Sequence, residues 1–99
     1  MQTNRDIILK TLQENQVAIR KFGVRRLGLF GSAARQPIAE TNDLDFLVEF
    51  EKKSFDSYMG LKMFLEELFR CRVDTVMEET LKPALRQHIL SETIHVPGF

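Results

Sequence analysis

Asp43 and Asp45 open an alternating run, Asp-Leu-Asp-Phe-Leu-Val-Glu-Phe. On a strand, residues two apart share a face, so both carboxylates point the same way, about 7 Å apart along the backbone. A third acid, Asp74, stands inside Arg-Val-Asp-Thr-Val-Met. A carboxylate buried in an apolar strand is costly unless something partners it. Should the two strands lie side by side, three carboxylates converge and raise one another's pKa, a conflict that a bound cation removes. Oxygen-only ligands suit Mg²⁺, which coordinates at about 2.0–2.1 Å and usually shares its ligands with substrate phosphates. Two such ions about 3.5–4 Å apart can clamp the attacking and leaving oxygens of a phosphoryl-type transfer.

Upstream, Gly31-Ser32 follows a short apolar run. Glycine lets a backbone approach a phosphate closely, and a helix start beyond it presents unpaired N–H groups with a favourable dipole. Ser32 adds a hydroxyl donor. Arg35, one turn further, reaches the same anion or ion-pairs with Glu40. Each piece is common by itself: Gly-Ser turns occur everywhere, and Asp-x-Asp at a strand start is more often a turn-and-cap device. Their conjunction in this order is far more specific.

The elements that must position these groups follow from periodicity. Thr3 and Asp6 have the form of a capping box, with Asp in place of the usual Glu. Ile7, Ile8, Leu12, Ile19 and Phe22 then make one stripe, so a helix is predicted from Thr3 to Phe22, irregular near Asn15 and stopped by Gly23. Arg25–Phe30 reads as a buried strand, apolar or small on both faces. Ser32–Arg35 begins a short helix with Ser32 near its N-cap, Pro37 closes it, and residues 38–42 form a loop. Asp43–Phe50 is the clearest strand, with Leu44, Phe46, Val48 and Phe50 on one face and Asp43, Asp45, Leu47 and Glu49 on the other. Ser54 caps a helix running to Arg70, Arg72–Met77 is a strand, Pro83 opens a helix over Lys82–Ser91, and Ile94–Val96 is a short edge strand. Phe99 is either a small contact or frayed. The expected class is α+β, a small mixed sheet of three to four strands flanked by helices, in one domain over residues 1–99.

Composition narrows the function classes. Fourteen basic and fourteen acidic residues cancel, which disfavours direct nucleic-acid binding. Lys21, Arg25, Arg26 and Arg35 make either a local basic patch near the turn or a solvated face. The lone Cys71 excludes an intrachain disulfide and favours a reducing compartment. Arginines flank it, so a lowered thiol pKa is conceivable, but an inert structural role is favoured. His88 and His95 have no partner at metal-ligand spacing. Without a leader or a long apolar run, the chain is expected in the cytoplasm and away from membranes. A core this small makes an obligatory partner reasonable.

Gly31-Ser32, ten residues, Asp43-Leu44-Asp45 and then the strand aspartate Asp74 together resemble the DNA polymerase β nucleotidyltransferase superfamily, and in length and detail its minimal nucleotidyltransferase (MNT) branch. The resemblance runs from Phe22 to Val96 and includes Glu78-Glu79-Thr80-Leu81-Lys82-Pro83. It implies a mixed sheet with helices, a nucleoside triphosphate as substrate and Mg²⁺ as cofactor, two ions in all. By that likeness Gly31 and Ser32 hold the triphosphate, Asp43, Asp45 and Asp74 ligate metal, Asp74 helps to activate the acceptor hydroxyl, and Arg35 matches the arginine of the Gly-Ser-x-x-Arg stretch. Gln36 and Asn42 depart from the family pattern, which has glycine and serine there. The likeness further implies an antitoxin paired with a helical HEPN RNase-type toxin in a hetero-oligomer, transferring AMP from ATP to a toxin tyrosine. The alternative is an antitoxin that masks the toxin without catalysis. Transfer to a small molecule needs a second domain to hold the acceptor, which this chain has no room for; a template-dependent polymerase is disfavoured likewise.

Overall fold

In the computed structural model, which describes residues 5–34, 43–52 and 54–99, the N-terminal stripe forms two helices, α1 (Arg5–Glu14) and α2 (Gln16–Arg20). The expected single helix breaks at Asn15, whose φ of −107° and ψ of 17° leave the helical region. At the break the Asn15 side chain bonds back to the preceding turn: its Nδ2 donates to Thr11 C=O at 2.8 Å, sharing that carbonyl with the Asn15 backbone N–H. Ile8, Leu12 and Ile19 stay on one inward stripe and are fully buried. Thr3 of the expected capping box lies outside the described residues.

β1 (Val24–Phe30) pairs antiparallel with β2 (Asp43–Phe50). Val24 and Leu27 are three apart, yet both are buried, which strict alternation forbids. A register irregularity between Val24 and Arg26 resolves this: the extra residue puts Arg25 and Arg26 outward and returns Val24 to the core opposite Phe50. Gly31–Ala34 follows β1 as a 3₁₀ turn, starting one residue before the predicted helix.

Ser54 caps α3 (Phe55–Phe69) as expected, accepting from Ser57 N–H at 3.0 Å. Arg70 ends α3 in the left-handed region at φ 54°. The chain thereby reverses into β3 (Arg72–Met77), which lies parallel to β2, as a helical crossover permits. After a 3₁₀ turn at Glu78–Thr80 comes α4 (Pro83–Glu92), with proline in its first turn, and then β4 (Ile94–His95) against β1. The sheet order is β3-β2-β1-β4.

One face of the sheet meets α1, α2 and α3 in a single core of Ile8, Leu12, Ile19, Leu27, Leu29, Phe46, Leu61, Leu65 and Val73, each at most 1% exposed. The other face is more open, since α4 has no buried residue. The C-terminal tail is held rather than frayed: Gly98 C=O accepts from Gln16 and Arg20, and the Arg20 guanidinium lies 5.1 Å from the centre of the Phe99 ring. Among the described residues, no helix is long and apolar enough to cross a membrane.

Candidate active site

Alternation along β2 divides the strand's duties. Leu44, Phe46, Val48 and Phe50 enter the core, while Asp43, Asp45, Leu47 and Glu49 take the opposite face, where Leu47 alone is buried. Because β3 is parallel to β2, residues in register share a face, and Asp45 stands beside Asp74. Asp43 is one pair of pleats back, beside Arg72. On the other side of β2, Asp45 is in register with Phe30, the residue that leads into the Gly31 turn.

That turn touches the acid directly. Gly31 has φ +76°, and a Cβ there would overlap Asp45 Oδ2 and lie 3.2 Å from its Cγ. Only glycine meets both demands, a left-handed backbone and a carboxylate against its α-carbon. Gly28 permits a second close approach, since a Cβ there would overlap Thr93 Cγ2 where the end of α4 turns onto β1. Ala33 and Ala34 are buried, and Ser32 remains half-buried beside Gly31. At the end of the turn, Arg5 Nη1 donates to Ala34 C=O at 3.3 Å. Sequence reasoning missed Arg5, because a residue of α1 gives no local sign of reaching a turn that follows β1. Arg35, Gln36, Glu40 and Asn42 lie outside the described residues.

Burial holds the Asp45 carboxyl above the usual range, and the charges of Asp74 and then Asp43 push it the same way. This is the electrostatic conflict that a cation relieves. Among the described residues, no three His, Cys, Asp or Glu side chains are gathered closely enough to hold an ion. Mg²⁺ needs only one or two carboxylates when phosphate oxygens complete its shell. The oxygen-only set, with neighbouring carboxylates at unfavourable charge, therefore fits that ion.

Other candidates part from the site. Lys21, Arg25 and Arg26 precede or begin β1, and Gly31 follows its end, so the strand holds them far from the turn; Arg25 instead pairs with Glu49 at 3.6 Å. A cleft of about 290 Å³ lined by Arg25, Glu49, Glu51, Glu78, Glu79 and Arg86 lies toward that far end of β2, and none of the three aspartates lines it. The Cys71 thiol is raised, not lowered, by burial and then by the Asp43 and Glu66 charges, so the flanking arginines do not activate it. His88 is exposed and lies 3.6 Å from Glu92, one helical turn on.

Comparisons with known proteins agree with this arrangement. The family described as polymerase beta, nucleotidyltransferase matches residues 8–96. The chain is 40% identical over 77 residues to the protein adenylyltransferase MntA of Thermococcus cleftensis, covering 77% of this chain and 78% of that one. A solved structure described as a minimal nucleotidyltransferase is 40% identical, with a TM-score of 0.70 over 87% of this chain and 93% of the other. The fold is shared more distantly with an MNT antitoxin solved in complex with the tri-AMPylated HEPN toxin of Shewanella oneidensis, at 21% identity and a TM-score of 0.60, over 97% of this chain and 71% of that one.

Proposed function

We propose that this chain, which belongs to the polymerase beta nucleotidyltransferase family, transfers AMP from ATP to a tyrosine hydroxyl of a partner HEPN-type toxin and so acts as its antitoxin. The observation that carries this reading is the meeting of two devices at one point: the Gly31 turn lies against Asp45, and Asp45 is in register with Asp74. A phosphate turn and a carboxylate pair in contact form a site for a metal-bound nucleoside triphosphate.

In this reading the Gly31 and Ser32 N–H groups and the Ser32 hydroxyl bind the triphosphate. Asp43, Asp45 and Asp74 hold Mg²⁺, which when bound neutralises phosphate charge and favours in-line transfer. The Asp74 carboxylate orients the incoming tyrosine hydroxyl and accepts its hydrogen bond. The tyrosine oxygen forms a bond to the α-phosphorus, the bond from that phosphorus to the bridging oxygen breaks, pyrophosphate leaves, and the hydroxyl proton passes by way of Asp74 to solvent. Chemistry of this kind is mostly positioning and charge neutralisation, which a small open sheet face supplies.

The test is to incubate the chain with ATP, Mg²⁺ and its partner toxin and to weigh the toxin. A gain of whole AMP groups, mapped to tyrosine, supports the reading. A toxin that is neutralised with no mass gain refutes transfer and leaves an antitoxin that acts by masking.

A further inference from the structure

Among the described residues β3 is a terminal strand, and one row of its backbone groups faces no neighbouring strand. Such a row invites slippage or pairing with another chain unless something covers it. Two side chains of α3 meet it. Glu66 Oε2 accepts from Val73 N–H at 3.3 Å, and Tyr58 OH donates to Thr75 C=O at 2.8 Å. Val73 and Thr75 are the residues on either side of Asp74, and their side chains are 0% and 5% exposed. Both flanks of Asp74 are thus tied to α3 at the free edge and packed into the core, while Asp74 itself is in register with Asp45.

We infer that Tyr58 and Glu66 are positioning residues that clamp β3 so that the Asp74 carboxylate is presented to the site at a fixed height beside Asp45. The inference rests on the proposed reading of Asp74 as a metal ligand. A helix supplies the clamp because, among the described residues, no second strand fixes the register of β3. Groups that orient a metal ligand without touching the metal usually change affinity or activity by about 10–100-fold when removed.

The test uses the full chain with Y58F, E66A and E66Q. Y58F removes only a hydroxyl, and E66Q keeps an oxygen that can accept from Val73. The Mg²⁺ concentration for half-maximal AMP transfer should rise by about 10-fold in Y58F and E66A, and E66Q should stay within about threefold of the parent. Exchange of the Val73 amide hydrogen should accelerate in E66A but not in E66Q. Parent-like Mg²⁺ midpoints in both Y58F and E66A would overturn the inference, as would E66Q damaged as severely as E66A. Should the parent transfer no AMP at all, the proposed function fails, and Mn²⁺ broadening of the Asp74 amide resonance decides the clamp alone. Broadening in the parent that weakens in Y58F and E66A supports it; broadening absent from the parent, or equal in all, overturns it.

Discussion

The two faces of β2 solve opposite problems with the same backbone. Leu44, Phe46, Val48 and Phe50 are at most 6% exposed and lie in the core with the three packed helices. On the other face Asp43 is exposed, Asp45 and Glu49 are half-buried beside the buried Leu47, and Asp45 carries charge repulsion from Asp74 and Asp43. Stability therefore resides on one face, and an unresolved electrostatic conflict is kept on the other. A strand buried on both sides could not tolerate Asp45 beside Asp74, because desolvation would protonate one of them.

Phe46→Ala attacks the inner face at its largest fully buried side chain. It should cost about 3–5 kcal/mol of unfolding free energy, read from urea denaturation. A cost under about 1 kcal/mol would mean that the inner face is not the seat of stability. Conversely, Asp45→Asn should leave the unfolding midpoint near or above that of the parent and reduce AMP transfer by roughly 10²–10³-fold or more, as loss of a charge-stabilising group at a reaction centre does. Transfer retained at the parent rate would remove Asp45 from the site.

Gly31→Ala lies between these extremes because Gly31 belongs to both regions, closing β1 and touching the acid. Alanine in the left-handed region costs roughly 1–2 kcal/mol, and its methyl group must displace the Asp45 carboxylate. We expect a loss of transfer larger than the loss of stability predicts, measured by comparing rates at a temperature where both proteins are folded. A rate lowered only in proportion to the folded fraction would show that the contact has no functional role.

Most of this division was legible in the sequence. The alternating run 43–50 has one dominant phase, so burying Leu44, Phe46, Val48 and Phe50 on one face puts the aspartates on the other. The parallel partnership of β2 and β3 was less direct: a helix of the right length between two strands permits it, but the alignment of Asp45 with Asp74 depends on where Arg70 reverses the chain. The irregularity expected near Asn15 is a full break into two helices, and the bulge at Arg25 is not foreseen, because each is set by one side-chain or register event rather than by periodicity. Arg5, Tyr58 and Glu66 could not be found at all. Their roles are contacts to backbone atoms of other elements, and backbone donors and acceptors carry no sequence signal. The Cys71 thiol follows the favoured inert reading: burial raises its pKa, and although its neighbours in sequence are basic, the charges that act on it are those of Asp43 and Glu66.

The smallest effect is the most discriminating. Cross-strand like charges are destabilising on the scale of roughly 0.2–1 kcal/mol, so in a chelator Asp45→Asn should stabilise the fold at neutral pH by about that much. The sign of its pH dependence follows from Asp45 itself. Burial, Asp74 and Asp43 raise its pKa above the ordinary 3.8, so the folded state holds the proton more tightly than the unfolded state does. The penalty is absent below the unfolded value, grows as pH rises through the folded-state value, and is constant above it. The advantage of Asp45→Asn over the parent should therefore open as pH rises from about 3.8 and then level off. Added Mg²⁺ should close or invert the gap, because an ion that binds the folded parent stabilises it and the variant binds it less well. Thermal unfolding of both proteins across pH, with chelator and with Mg²⁺, gives four curves. An advantage for Asp45→Asn that is independent of pH and indifferent to Mg²⁺ would mean that the open face holds no electrostatic conflict for a metal to resolve.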